Sequence, residues 1–163
     1  MPDHRKLLLV CVLIFTALLF INFFVVHEFF PEDVPGAGKA ISGLFLLVCF
    51  EVLFYVVFKR ILKQHETLSV AYLTIFGCLI VLFSGLIFQT YRQATLEYTT
   101  NEDRIKIFLI GVLGLTAVAG ITAFPVAVDV KYKKRWLTTL LNIGIGLLFL
   151  LGVPYLFSLL KGK

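Results

Sequence analysis

Charge is what this chain has least of. Asp, Glu, Lys and Arg together make up 15% of its 163 residues, against about a quarter in a soluble globular domain. That scarcity excludes a water-solvated fold, and with it the charge-rich disordered and coiled-coil classes. With 12 Gly and 5 Pro there is no collagen-like repeat. The three cysteines, Cys11, Cys49 and Cys78, sit inside apolar runs without Cys-x-x-Cys spacing. They support neither a disulfide framework nor a zinc site and read as small buried apolar groups.

Other absences remove whole chemistries. No Lys lies in the middle of an apolar run, so a Schiff-base photoreceptor is excluded, and His4, His27 and His65 lie at run ends or in loops, where they cannot hold a haem between helices. His27 and Glu28 begin an HExxH pattern, but position 31 is Pro and the second histidine is missing. The segment PGAGKAIS, with Gly36, Gly38 and Lys39, lacks both the first glycine of a phosphate loop and a Ser or Thr directly after the lysine. There is no Asn-x-Ser/Thr acceptor for glycosylation, in keeping with a bacterial cytoplasmic (inner) membrane. The sequence points to no cofactor and no metal.

Apolar length is what remains. Hydrophobic residues are 60% of the chain, 17 of them Phe, and the mean hydropathy is +0.97. Crossing a hydrocarbon core of about 30 Å takes about 20 helical residues. Five stretches are long enough: 7–26, 40–58, 68–88, 105–128 and 136–160. They are continuous rather than alternating, which predicts helices and not barrel strands. The expected fold is therefore all-α, a single membrane domain of five transmembrane helices joined by short loops. Little is left over for a soluble catalytic domain. The first run follows Arg5 and Lys6 as a signal peptide would, but it continues through Asn22 to Val26 and reads as an uncleaved anchor.

The net charge of +5 would suggest nucleic acid in a soluble protein; here it fits lipid head groups, and no nucleic-acid partner is expected. Nine of the 15 Lys and Arg fall on the side of the amino terminus and the second and fourth connections, six on the other side. The positive-inside rule then places the amino terminus inside and the carboxyl terminus outside. Lys131, Lys133, Lys134 and Arg135 form the densest basic stretch and are expected to contact anionic lipid. Tyr132 and Trp136 suit the same interface. On the outer side, Pro31, Pro35, Gly36 and Gly38 punctuate the first connection, and 89–104 reads as a polar loop in which Thr99 and Glu102 have capping-box spacing.

Small residues concentrate in the fourth span, where Thr116 and Gly120, and Ala119, Ala123 and Ala127, recur every four positions and allow close helix packing. Pro125 and Pro154 are expected to bend their helices.

Glu51 is the one formally charged side chain well inside a predicted span, at a cost of about 2.5–3.5 kcal/mol on insertion scales. It either donates, as a protonated carboxyl, one hydrogen bond that ties two helices together, or it forms a proton or cation site. Glu51, Thr74, Thr122 and Asn142 all lie six or seven residues from the inner ends of their spans, so four helices could present polar groups in one layer. Tyr55, one turn from Glu51, shares its face. Two functional readings follow, with a third behind them. The first is a non-enzymatic subunit or scaffold of a larger membrane complex, with other membrane subunits or further copies of itself as partners. The second is a small proton- or cation-coupled carrier or channel using Glu51. The third, an enzyme modifying lipid or quinone, lacks a convergent catalytic set.

Overall fold

The structure, a computed structural model, describes residues 2–29, 37–95 and 101–147. In lipid every backbone N–H and C=O must be satisfied within its own segment, and the continuous apolar runs meet that demand as helices. There are five: α1 (Pro2–Phe29), α2 (Ala37–Gln64), α3 (Val70–Thr95), α4 (Asn101–Tyr132) and α5 (Trp136–Leu147). Three stretches are long and apolar enough to cross a membrane, namely Arg5–Val25 of α1, and α3 and α4 over their whole lengths. Residues 30–36 with Pro31 and Pro35, Thr99, and the run beyond residue 147 with Pro154 lie outside the described residues.

The helices overrun the expected spans. At about 1.5 Å per residue, the 26–32 residues of α1–α4 reach about 40–48 Å, more than the hydrocarbon core requires. The expected polar loop over 89–104 is therefore corrected in part: residues 89–95 are the last turns of α3 and 101–104 the first turn of α4. The Thr90 and Thr95 hydroxyls donate back to the carbonyls of Leu86 and Tyr91, at 2.7 and 3.1 Å, so these polar side chains serve the helix that carries them. Glu102 pairs with Lys106 on the exposed surface of α4. Pro125 is buried within α4, which runs through it.

The most extensive packing is between α3 and α4. Gly77 leaves no space for a side chain: a Cβ there would lie 3.0 Å from the Ala123 Cβ and 3.2 Å from Phe54 Cε1 and Phe58 Cζ. Ala119, Ala123 and Ala127 are fully buried, and a Cβ on Gly120 would meet Cys78 Sγ at an ordinary 3.6 Å. Thr116 donates to the Val112 carbonyl within its own helix. Close backbone approach through small residues is the usual way to gain dispersion energy where lipid offers no hydrophobic drive.

A column of aromatic rings backs this seam. Phe15 stacks on Phe50 at 4.6 Å between centroids, Phe50 on Phe54 at 5.9 Å and Phe54 on Phe58 at 5.5 Å. All four are buried. Two polar ties join α1 to its neighbours: Asn22 Nδ2 donates to Ser42 Oγ at 2.6 Å, and the Ser84 hydroxyl is shared between the carbonyls of Val12 and Ile80.

Candidate functional site

The turn between α4 and α5 positions the site. Lys133 has φ 57° and the Lys134 N–H donates to the Asp129 carbonyl at 3.1 Å, the six-to-one bond of a Schellman stop. The reversal brings the first turn of α5 beside the Asp129 carboxylate, whose Oδ2 accepts from the Thr138 backbone N–H at 3.0 Å and from the Thr138 hydroxyl. Asp129 thus does for α5 what an N-cap residue does, from the preceding helix. It is 5% exposed, and its Oδ1 has no hydrogen-bond partner among the described residues.

About one turn beyond Thr138, Asn142 reaches α2 and donates from Nδ2 to Glu51 Oε2 at 2.8 Å. Glu51 is half-buried and Asn142 exposed on the flank of the bundle. The pair lines an open cavity of about 340 Å³ among α2, α4 and α5, together with Val52, Tyr55, Val126, Asp129, Arg135, Thr138 and Thr139. Two carboxylates, three hydroxyl residues and one guanidinium therefore line one space.

Of the layer expected from depth alone, Glu51 and Asn142 meet, while Thr74 and Thr122 do not line this cavity. Their hydroxyls donate to carbonyls of their own helices, Thr74 to Val70 at 3.0 Å and Thr122 to Val118 at 3.0 Å. Tyr55 lines the cavity but turns its hydroxyl to Arg135, which donates from Nη2 at 3.3 Å, rather than to Glu51. Asp129 is the residue the sequence pattern hides. Adjacent to a basic stretch, it passes for part of a solvated connection, and only the pair Thr138–Thr139 at the start of the next helix hints at a carboxylate to cap it.

No family model, curated protein or solved structure matches this chain. Among the described residues no three His, Cys, Asp or Glu side chains gather as a metal site would need.

The basic stretch divides. Lys131 Nζ donates to the Leu68 carbonyl at 2.6 Å, fastening α4 to the α2–α3 connection. Lys131, Lys133 and Arg135 line a second, larger cleft of about 690 Å³ with Tyr55, Lys59, Lys63 and Glu66, whereas Lys134 stays outside it. At the opposite end of α3 the polar groups tie helices together. Gln93 and Arg104 exchange side-chain-to-carbonyl bonds at 2.8 Å, Arg92 lies over the Phe23 ring at 5.9 Å, and the buried Gln89 amide lies against Gly111.

Proposed function

We propose that the chain is a five-span protein of a bacterial cytoplasmic membrane, amino terminus inside and carboxyl terminus outside, that works as a small proton- or cation-coupled carrier. The observation that carries this reading is the Glu51–Asn142 hydrogen bond at 2.8 Å on the wall of a cavity that also holds the Asp129 carboxylate. An ionisable group at membrane depth is costly and is retained where it moves or holds charge. Glu51 is the titrating group of this reading. Asn142 orients it, and Asp129, Thr138 and Thr139 supply further oxygen. Five helices enclose little volume, so a second copy would close the open flank.

A second reading, a non-enzymatic subunit or scaffold, draws support from the exposure of Asn142. An amide facing lipid gains by being covered, and a helix of another subunit would cover it. The purified full chain in proteoliposomes on a solid-supported membrane distinguishes the two. Jumps in proton, Na⁺ or K⁺ concentration should drive a transient current through wild type, and Glu51→Gln should abolish it at equal protein yield. A wild-type current no larger than that of empty liposomes, or one unchanged in Glu51→Gln, would overturn the carrier reading and leave the subunit.

A further inference from the structure

The 690 Å³ cleft lies where α2 and α4 end, on the side away from the deep part of the Glu51 cavity, and shares Tyr55, Asp129 and Arg135 with it. Its α2 wall carries Tyr55, Lys59 and Lys63, four residues apart and therefore on one helix face. The α4–α5 turn supplies Lys131, Lys133 and Arg135 opposite. Two of these cations are held in place within the protein. Arg135 donates to the Tyr55 hydroxyl with its guanidinium 5.8 Å from the ring centroid, and Lys131 is bonded to the Leu68 carbonyl. Lys59 lies by the same ring, its Nζ 5.7 Å from the Tyr55 centroid.

Five cations against two carboxylates, Glu66 and Asp129, leave the cleft at +3. The Asp129 carboxylate is engaged by Thr138. Among the described residues none of Lys59, Lys63, Lys133 or Arg135 has a carboxylate within ion-pair distance. Like charges gathered without counter-charges repel one another, and an anion with several acceptor oxygens relieves that repulsion best.

We propose that this cleft binds a phosphate ester, and that its source is the head group of an acidic phospholipid. The lipid assignment rests on the surface beside the cleft's α2 wall: Val48, Val52 and Val56 are all more than half exposed, and Val52 and Val56 lie three residues before Tyr55 and Lys59, on the neighbouring row of the helix. That strip offers an acyl chain an apolar track beside the cations. The cleft shares Asp129 with the carrier reading, but the variants that test it leave Glu51, Asn142 and Asp129 in place, so the two can fail separately.

The test is native mass spectrometry of the full chain in detergent, with phosphatidic acid, phosphatidylcholine or inorganic phosphate added separately. Wild type should retain phosphatidic acid in preference to phosphatidylcholine. Lys59→Gln with Lys63→Gln should weaken that retention about thirtyfold, the loss of two lysine contacts at a lipid surface. Lys6→Gln with Lys134→Gln removes the same charge from two exposed positions outside the cleft, and should leave retention within about twofold of wild type, because screened charge beyond the contact contributes little. Equal loss in both double variants would overturn the cleft as a site and leave diffuse surface charge. Inorganic phosphate retained as well as phosphatidic acid would overturn the lipid assignment. All four residues are exposed, so circular dichroism of every variant should match wild type.

Discussion

The α3–α4 seam and the α2–α5 flank solve the same problem in opposite ways. Along the seam, Gly77 meets Ala123 at a distance that admits nothing larger than hydrogen, and the aromatic column of Phe50, Phe54 and Phe58 closes it from α2. Across the flank, α5 is joined to the rest through hydrogen bonds, from Thr138 to Asp129 and from Asn142 to Glu51, with a cavity of about 340 Å³ between. Apolar shape holds the middle of the first, with the Gln93–Arg104 bonds at one end, and polar chemistry holds the second. A helix interface made only of small residues and rings has one good arrangement, whereas one made of hydrogen bonds around a space can exchange partners with a proton, an ion or a solute. The division places rigidity in α3–α4 and chemistry at α5.

The largest expected effect comes from filling the seam. Gly77→Val would force two methyls against Ala123, Phe54 and Phe58, and overpacking of this kind costs about 1–3 kcal/mol. Steric trapping of unfolding in bicelles should show that loss, while Gly114→Ala, where an added Cβ has no atom within 4 Å, should not destabilise and gains up to about 1 kcal/mol of helix propensity. If the two substitutions cost the same, the seam is not where the bundle is rigid and the contrast between the regions collapses.

The next effect isolates the turn that delivers α5. Asp129→Ala removes the acceptor for the Thr138 N–H and hydroxyl, a capping loss of about 1 kcal/mol. Hydrogen exchange at the Thr138 amide should quicken about fivefold, the equivalent of that energy, while amides in the middle of α3 keep their protection. Faster exchange throughout the bundle would mean that α5 is part of one cooperative unit with the seam, and unchanged exchange at Thr138 would mean that water caps the helix equally well.

How much of this was legible in the sequence follows the same division. The five helices could be read because lipid leaves an uninterrupted apolar run no alternative, and the Ala119, Ala123 and Ala127 spacing announced a buried face. Helix ends were not legible, since Gln89–Thr95 is polar for the interface and still helical, and polarity alone does not distinguish a loop from a turn of helix standing among head groups. Depth along a helix put Glu51 and Asn142, which share a hydrogen bond, in one layer, but it says nothing of azimuth. Thr74 and Thr122 share the depth and spend their hydroxyls on their own backbones. Asp129 was hidden because its role depends on a chain reversal set by the backbone at Lys133, and a single positive φ leaves no mark in composition.

The smallest effect bears most directly on what the flank is for. Hydrogen bonds between membrane helices average about 0.6 kcal/mol in double-mutant cycles, because the separated helices find other partners. Glu51→Leu, Asn142→Leu and the double variant, compared by steric trapping in bicelles, should therefore give a coupling of about that size. A coupling several times larger would make the pair a structural clasp on a par with the Gly77 seam, which would account for Glu51 in the proposed five-span arrangement without any need for charge movement. If α2 spans the membrane as proposed, a coupling near 0.6 kcal/mol cannot offset an insertion cost of about 2.5–3.5 kcal/mol. The bond would then be too weak to explain why Glu51 is there, and the explanation passes from stability to the cavity that Glu51 lines.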